Sequence, residues 1–124
     1  MTGQRTVLVI DDHEDNRRIL RDLLTSAGYA VVEATTGEDG VSSAQARPPD
    51  LILMDIQLPG IDGYEATRRI KGTEALRHIP LIVVTSYALS GDDAKALAAG
   101  ADAYVAKPFS PRAMLAKVRE YLPT

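Results

Sequence analysis

No cysteine occurs in this sequence, which excludes disulfides and thiol chemistry and fits a reducing compartment. An excess of basic charge is missing as well. Fourteen Lys and Arg against seventeen Asp and Glu leave a net charge of -3 and a pI near 5.3, so there is no overall basic field for nucleic acid or anionic lipid. Long apolar stretches are lacking too. Met1-Thr2-Gly3-Gln4-Arg5 leads straight into a strand pattern, with no apolar h-region and no run of membrane-spanning length. These absences lead to an expected cytoplasmic protein with no direct nucleic acid partner and no membrane partner. Neither a P-loop nor a G-x-G-x-x-G follows any strand pattern, which argues against nucleotide binding.

What is present is a chain of 124 residues, 45% hydrophobic and 25% charged, within the one-domain range and able to bury a proper core. Without repeats, linkers or a low-complexity tail, residues 1–124 are expected to form one domain with no output domain. Met1, and an end that falls directly after the last helical pattern, favour a complete chain.

Four short apolar runs end in polar residues of compatible chemistry. Val7-Leu8-Val9-Ile10 runs into Asp11-Asp12, Leu51-Ile52-Leu53-Met54 into Asp55, Leu81-Ile82-Val83-Val84 into Thr85-Ser86, and Ala103-Tyr104-Val105-Ala106 into Lys107-Pro108. Such runs, separated by helical patterns, read as buried parallel strands. Tyr29 to Ala34 alternates loosely and reads as a further strand, second in chain order.

Helix one is expected over Glu14 to Ser26, where Ile19, Leu20, Leu23 and Leu24 recur at helical spacing and Gly28 supplies a stop. Thr35-Thr36-Gly37-Glu38 resembles a capping box opening a small-residue helix to about Ala46, ended by Pro48-Pro49. After the turn Leu58-Pro59-Gly60, a third helix begins near Asp62-Gly63 and closes at Gly72. Ser90 or Gly91 starts a fourth, alanine-rich and short of apolar bulk, and Ser110-Pro111 caps a fifth.

Strict alternation of strands and helices implies right-handed crossovers and a three-layer α/β/α sandwich. A five-stranded parallel sheet of order 2-1-3-4-5 places strands one and three side by side at the topological switch point. Asp11, Asp12 and Asp55 then face one crevice, with Thr85 one strand and Lys107 two strands from Asp55.

Asp11, Asp12 and Asp55 supply hard oxygens suited to Mg²⁺, and a cation would relieve the repulsion between three carboxylates in one cleft. The plainer alternative makes Asp12 a cap of helix one and Asp11 a solvated loop acid. Asp55 is also a candidate nucleophile, since a carboxylate can accept a phosphoryl group, or it simply opens the following turn. Lys107 offers a cation for phosphate oxygens. Taken alone, Lys107 is an exposed loop lysine and Thr85 a strand end, so their weight comes from co-location.

Taken together, VLVIDD, LILMDIQLPGIDG, VVTS and AYVAKP resemble the receiver domain of two-component response regulators over essentially the whole chain. DHEDNRR and MDIQLPGIDG are similar to DivK-type single-domain regulators and to receivers of hybrid histidine kinases. The resemblance implies a flavodoxin-like receiver fold and Asp55 as phosphoacceptor. It implies a Mg²⁺ site of Asp11, Asp12, Asp55 and the backbone carbonyl of Gln57, with Asp12 the more direct ligand of the acidic pair and Mn²⁺ as a substitute metal. Thr85 and Lys107 match the family's phosphate contacts, Tyr104 the aromatic that reorients with Thr85, and Lys107-Pro108 a cis-proline joint. Ser86 departs from the smaller alanine common at its position.

The expected activity is that of a phosphorylation-controlled switch: a phosphoryl group comes from a sensor histidine kinase or histidine phosphotransfer protein, and catalysis is limited to self-directed transfer and slow hydrolysis. The surface of helix four, strand five and helix five is expected to meet a downstream protein target or, as a phosphorylation-dependent homodimer, a second copy. Gln57 and Tyr87 are expected to flank the path of a hydrolytic water. His13, beside the acidic pair, suggests a metal ligand or a phosphohistidine, but at the start of helix one it reads rather as exposed and peripheral; His78, ahead of Pro80, reads as loop surface. The competing reading is a magnesium-dependent phosphohydrolase, but Asp55-Ile56-Gln57 lacks the second acid of an Asp-x-Asp motif and no cap insertion holds a substrate.

Overall fold

The computed structural model describes residues 4–85 and 92–123. Five strands and five helices alternate: β1 (Thr6–Ile10), α1 (Glu14–Ser26), β2 (Ala30–Ala34), α2 (Gly37–Ala46), β3 (Leu51–Asp55), α3 (Gly63–Lys71), β4 (Leu81–Thr85), α4 (Asp92–Ala98), β5 (Ala103–Ala106) and α5 (Pro111–Tyr121). All pairings are parallel, in the order β2-β1-β3-β4-β5, as the alternation implied.

Side chains alternate across a strand, so each central strand feeds two cores. Leu8, Ile10, Ile52, Met54, Leu81 and Val83 pack with Ala66 and Ile70 of α3 and Ala44 of α2 on one face. Val7, Val9, Leu51, Leu53, Ile82 and Val84 meet Leu20 and Leu24 of α1 and Met114 and Val118 of α5 on the other. Burial on both faces explains why β3 and β4 are apolar without alternation up to their last residues. At the sheet edges, where one side is open, β2 and β5 keep exposed positions such as Val32 and Tyr104. Each large aliphatic side chain buried this way stabilises the fold by about 1.5–3 kcal/mol.

The local signals act largely as expected. Thr36 caps α2 by accepting from the Asp39 N–H, Asp62 caps α3 by accepting from Glu65, and Ser110 caps α5 by accepting from Ala113 with Pro111 in the first turn. The strand after α1 begins at Ala30 rather than Tyr29. Tyr29 still belongs to the turn around Gly28, whose φ is +98°: its N–H closes on Leu24 O, and its buried hydroxyl donates to Leu122 O. The expected fourth-helix start at Ser90 or Gly91 lies outside the described residues. Among those described, no helix is long and apolar enough to cross a membrane.

Candidate functional site

The register carries the four polar strand ends to one edge of the sheet. Ile10 pairs with Met54, Asp55 with Val84, and Thr85 with Ala106, so Asp11, Asp55, Thr85 and Lys107 lie at successive carboxyl ends. Asp11, Asp55 and Thr85 are all buried. Three buried polar residues side by side at the switch point are costly to keep, since a buried charge loses its hydration unless it is paired.

The Lys107 ammonium lies 3.2 Å from Asp55 Oδ1 and 3.8 Å from Asp11 Oδ2. Its side chain is only 20% exposed, which sets aside the solvated-loop alternative. The Lys107 N–H donates to Thr85 O at 2.7 Å, and the following peptide bond to Pro108 is cis. The other oxygen of Asp55, Oδ2, is buried and has no hydrogen-bond partner among the described residues. Burial pushes the Asp55 carboxyl above its ordinary range and the Asp11 charge adds to this; Lys107 and the Gln57 backbone N–H oppose it.

Asp11 is 3% exposed, which overturns the alternative of a solvated loop acid. Its N–H donates to Ala34 O, and its Oδ1 accepts from the His13 N–H at 2.8 Å. Asp12 does not cap α1; that position falls to His13, whose side chain makes no capping hydrogen bond. Asp12 instead stays partly open to solvent, with its side chain 32% exposed.

Sequence reasoning missed the support behind the acidic pair. Arg17, 12% exposed, donates from Nη1 to Asp11 O at 2.8 Å and from Nε to Glu33 Oε1 at 3.1 Å, while Arg21 holds Glu33 Oε2 at 2.8 Å. The fork fixes the peptide that joins Asp11 to Asp12. His13 is exposed, as expected, with its side chain 65% open to solvent, and one ligand atom from each of Asp11, Asp12, His13 and Asp55 falls within 4.8 Å of the others. Hard oxygens around a buried, unpartnered carboxylate oxygen fit a divalent cation. His13, Asn16, Asp55, Gln57 and Lys107 line the cleft above, about 420 Å³ in volume.

Two glycines shape the loop after β3. Gly60 takes φ +75°, the left-handed region a turn there requires. Gly63 lets α3 start directly against the strand end: a Cβ there would lie 2.2 Å from Asp55 O. Tyr104 is 36% exposed on β5, and Tyr87 and Ser86 lie outside the described residues.

A sheet edge that gathers carboxylates, a hydroxyl and a lysine, and that leaves a buried carboxylate oxygen without a donor among the described residues, belongs to a phosphoacceptor switch. Residues 7–119 match the response regulator receiver domain, and the chain belongs to that family. It is 39% identical over 118 residues to the polar-differentiation response regulator DivK of Brucella ovis, covering 95% of this chain and 96% of that one. The receiver domain of a sensor histidine kinase from Pseudomonas aeruginosa, solved with a magnesium ion coordinated in its active site cleft, is 36% identical with a TM-score of 0.90 over 99% of this chain and 100% of its own. Chemotaxis protein CheY4 of Vibrio cholerae is 26% identical with a TM-score of 0.91 over 97% of this chain and all of its own. Receiver domains bind Mg²⁺, interact with histidine kinases or phosphotransfer proteins, and act on downstream targets; the chain is a signalling regulator of two-component systems.

Proposed function

We propose that Asp55 is the phosphoacceptor of this switch. A phosphohistidine of a sensor kinase or phosphotransfer protein gives up its phosphoryl group as the N–P bond breaks and an O–P bond forms to the Asp55 carboxylate. Asp11, Asp12, Asp55 and the Gln57 carbonyl would hold Mg²⁺, or Mn²⁺ in its place. The cation supplies charge neutralisation for the phosphoryl oxygens. Lys107, already within 3.2 Å of Asp55, gives the transferred group a fixed counter-charge. The observation that carries this reading is the buried Asp55 oxygen with no hydrogen-bond partner among the described residues, next to a second buried acid and a lysine.

Thr85 and Tyr104 form the switch. Tyr104 pairs with Val83 and Thr85 with Ala106, so both side chains belong to the same sheet face on neighbouring strands. A phosphoryl group that draws the Thr85 hydroxyl changes the space open to Tyr104. Leu97 on α4, 52% exposed, and Tyr104 on β5, 36% exposed, offer apolar anchors on neighbouring elements for a downstream protein or a phosphorylation-dependent second copy, with α5 completing that surface. The donor approaches from the other side of Lys107, where Asn16, Ile19, Pro108, Phe109 and Pro111 line an apolar cleft of about 570 Å³. Self-directed transfer and autodephosphorylation in the cytoplasm are the whole of the chemistry.

The test is labelling with a small phosphodonor with and without Mg²⁺, the modified residue being located by mass spectrometry after trapping the acyl phosphate. Labelling is expected on Asp55 only and only with the divalent cation. An Asp55→Asn chain that labels at the wild-type rate overturns the assignment.

A further inference from the structure

We propose that His13 serves as an additional ligand when this site holds a first-row transition ion favouring imidazole nitrogen, with Zn²⁺ the clearest probe. The inference rests on the metal reading above and adds a nitrogen donor to it. His13 Nδ1 lies 3.0 Å from Asp12 Oδ1 and 3.5 Å from Asp11 Oδ1. Donors that share an ion at bond lengths of about 2.0–2.2 Å sit about 3.0–3.5 Å from one another between right-angled and tetrahedral arrangements, which is the spacing found here.

A second observation points the same way. The Asp55 oxygen that lacks a partner among the described residues belongs to a side chain 4% exposed, and Asp55, Asp11, Asp12 and His13 bring their ligand atoms within 4.8 Å of one another. Inside, this site is closed by buried carboxylates. Outside, it is bounded by an imidazole 65% exposed, on the side from which an ion enters.

The backbone explains the placement. His13 occupies the N-cap position of α1 with extended backbone, φ -96° and ψ 120°, but its side chain makes no capping hydrogen bond. Its N–H is held by Asp11 Oδ1 at 2.8 Å, which turns the residue back over the acids. An imidazole so placed makes a poor cap and a suitable ligand. Mg²⁺ strongly prefers oxygen and keeps its waters, so it gains little from the ring, whereas Zn²⁺ and Ni²⁺ gain a favoured donor.

Two measurements test this on the whole chain. Calorimetric titration with Mg²⁺ and with Zn²⁺ compares wild type with His13→Asn; loss of an inner ligand is expected to weaken Zn²⁺ at least about tenfold, the scale set by loss of an outer partner, and to leave Mg²⁺ within about twofold. Ring-nitrogen NMR then uses His78, exposed on the loop between α3 and β4, as an internal control: Zn²⁺ should shift the His13 Nδ1 resonance and leave His78 in place. Equal Zn²⁺ affinity in His13→Asn, or equal shifts at both histidines, overturns the inference while leaving the Mg²⁺ site intact. A wild-type chain that binds no Mg²⁺ overturns the metal reading and this inference with it.

Discussion

Replacing Asp55 by Asn is expected to stabilise the metal-free protein, although it destroys the proposed acceptor. At an effective dielectric constant of 20, the Lys107 ammonium at 3.2 Å attracts the carboxylate by about 5 kcal/mol, while Asp11, with a ligand atom within 4.8 Å, repels it by at least about 3.5 kcal/mol. The partly exposed Asp12 adds a screened repulsion, so the charge terms nearly cancel. Desolvation then decides the sign. A charged group with one buried oxygen lacking a donor costs about 1–3 kcal/mol, and Asn keeps the shape, and a carbonyl oxygen for Lys107, without the charge. The net gain expected for Asp55→Asn in EDTA is about 1 kcal/mol, or about 4 °C in Tm for a domain of this size.

Mg²⁺ reverses the order. At a concentration one hundred times Kd, a ligand bound only by the folded state adds about 2.7 kcal/mol; the wild type collects this, and the Asn variant, short of one anionic ligand, collects less. Acid removes the difference by another route. Because the Asp55 carboxyl is raised above its ordinary 3.8 in the fold, its penalty is present above the folded value and gone below the unfolded one. In EDTA the two melting curves should therefore converge as the pH is lowered from neutrality towards that value. Thermal melts read by circular dichroism, with EDTA and with Mg²⁺, check both arms. An Asn variant less stable than wild type in EDTA, or equally stabilised by Mg²⁺, would refute the electrostatic account of this cleft.

Three further substitutions probe separate parts of the site. Lys107→Ala should slow labelling of Asp55 by about 10²-fold, the usual loss when one preorganised group facing developing charge is removed; quench-flow labelling with a small phosphodonor reads it, and an unchanged rate removes Lys107 from the transfer step. Gly63→Ala places a methyl against backbone atoms of Asp55 and Ile56 and should cost at least about 1–3 kcal/mol in urea unfolding; a neutral result would mean that α3 can retreat from the strand end without cost. Thr85→Ala should still bind beryllofluoride as a phosphoryl mimic but lose the mimic's enhancement of partner binding or self-association, where a coupling of about 1–3 kcal/mol corresponds to roughly 5- to 150-fold; equal enhancement in both proteins ends the relay argument.

The convergence of Asp11, Asp55, Thr85 and Lys107 could be read before any coordinates because strands buried on both faces write themselves as unbroken apolar runs, and parallel sheets put all their carboxyl ends on one edge. Edges are harder to read: β2 carries exposed positions, so the loose alternation that suggests a strand extends to Tyr29, which the structure leaves in the turn before Ala30. The acidic pair was legible as a pair, and the family resemblance separated its members by role, with Asp12 the more direct ligand, but not by burial. Only the structure separates buried Asp11 from the more open Asp12, and the separation depends on Arg17 holding the Asp11 carbonyl through Glu33 of β2, a contact set by three elements meeting. His13 could be named from its place beside the acids but not ranked as a ligand, since its side chain is turned towards them by its own N–H bond to Asp11, which no propensity encodes. The Thr85 and Tyr104 relay stands between these cases. Their period of two predicts a shared sheet face once β4 and β5 are in register, and the register found, Val83 with Tyr104 and Thr85 with Ala106, sets them two positions apart along neighbouring strands. That offset, about 6.6 Å along the strand, is within the reach of a tyrosine side chain packing along the shared face, and the proposed relay from Asp55 to Tyr104 takes that packing as its route.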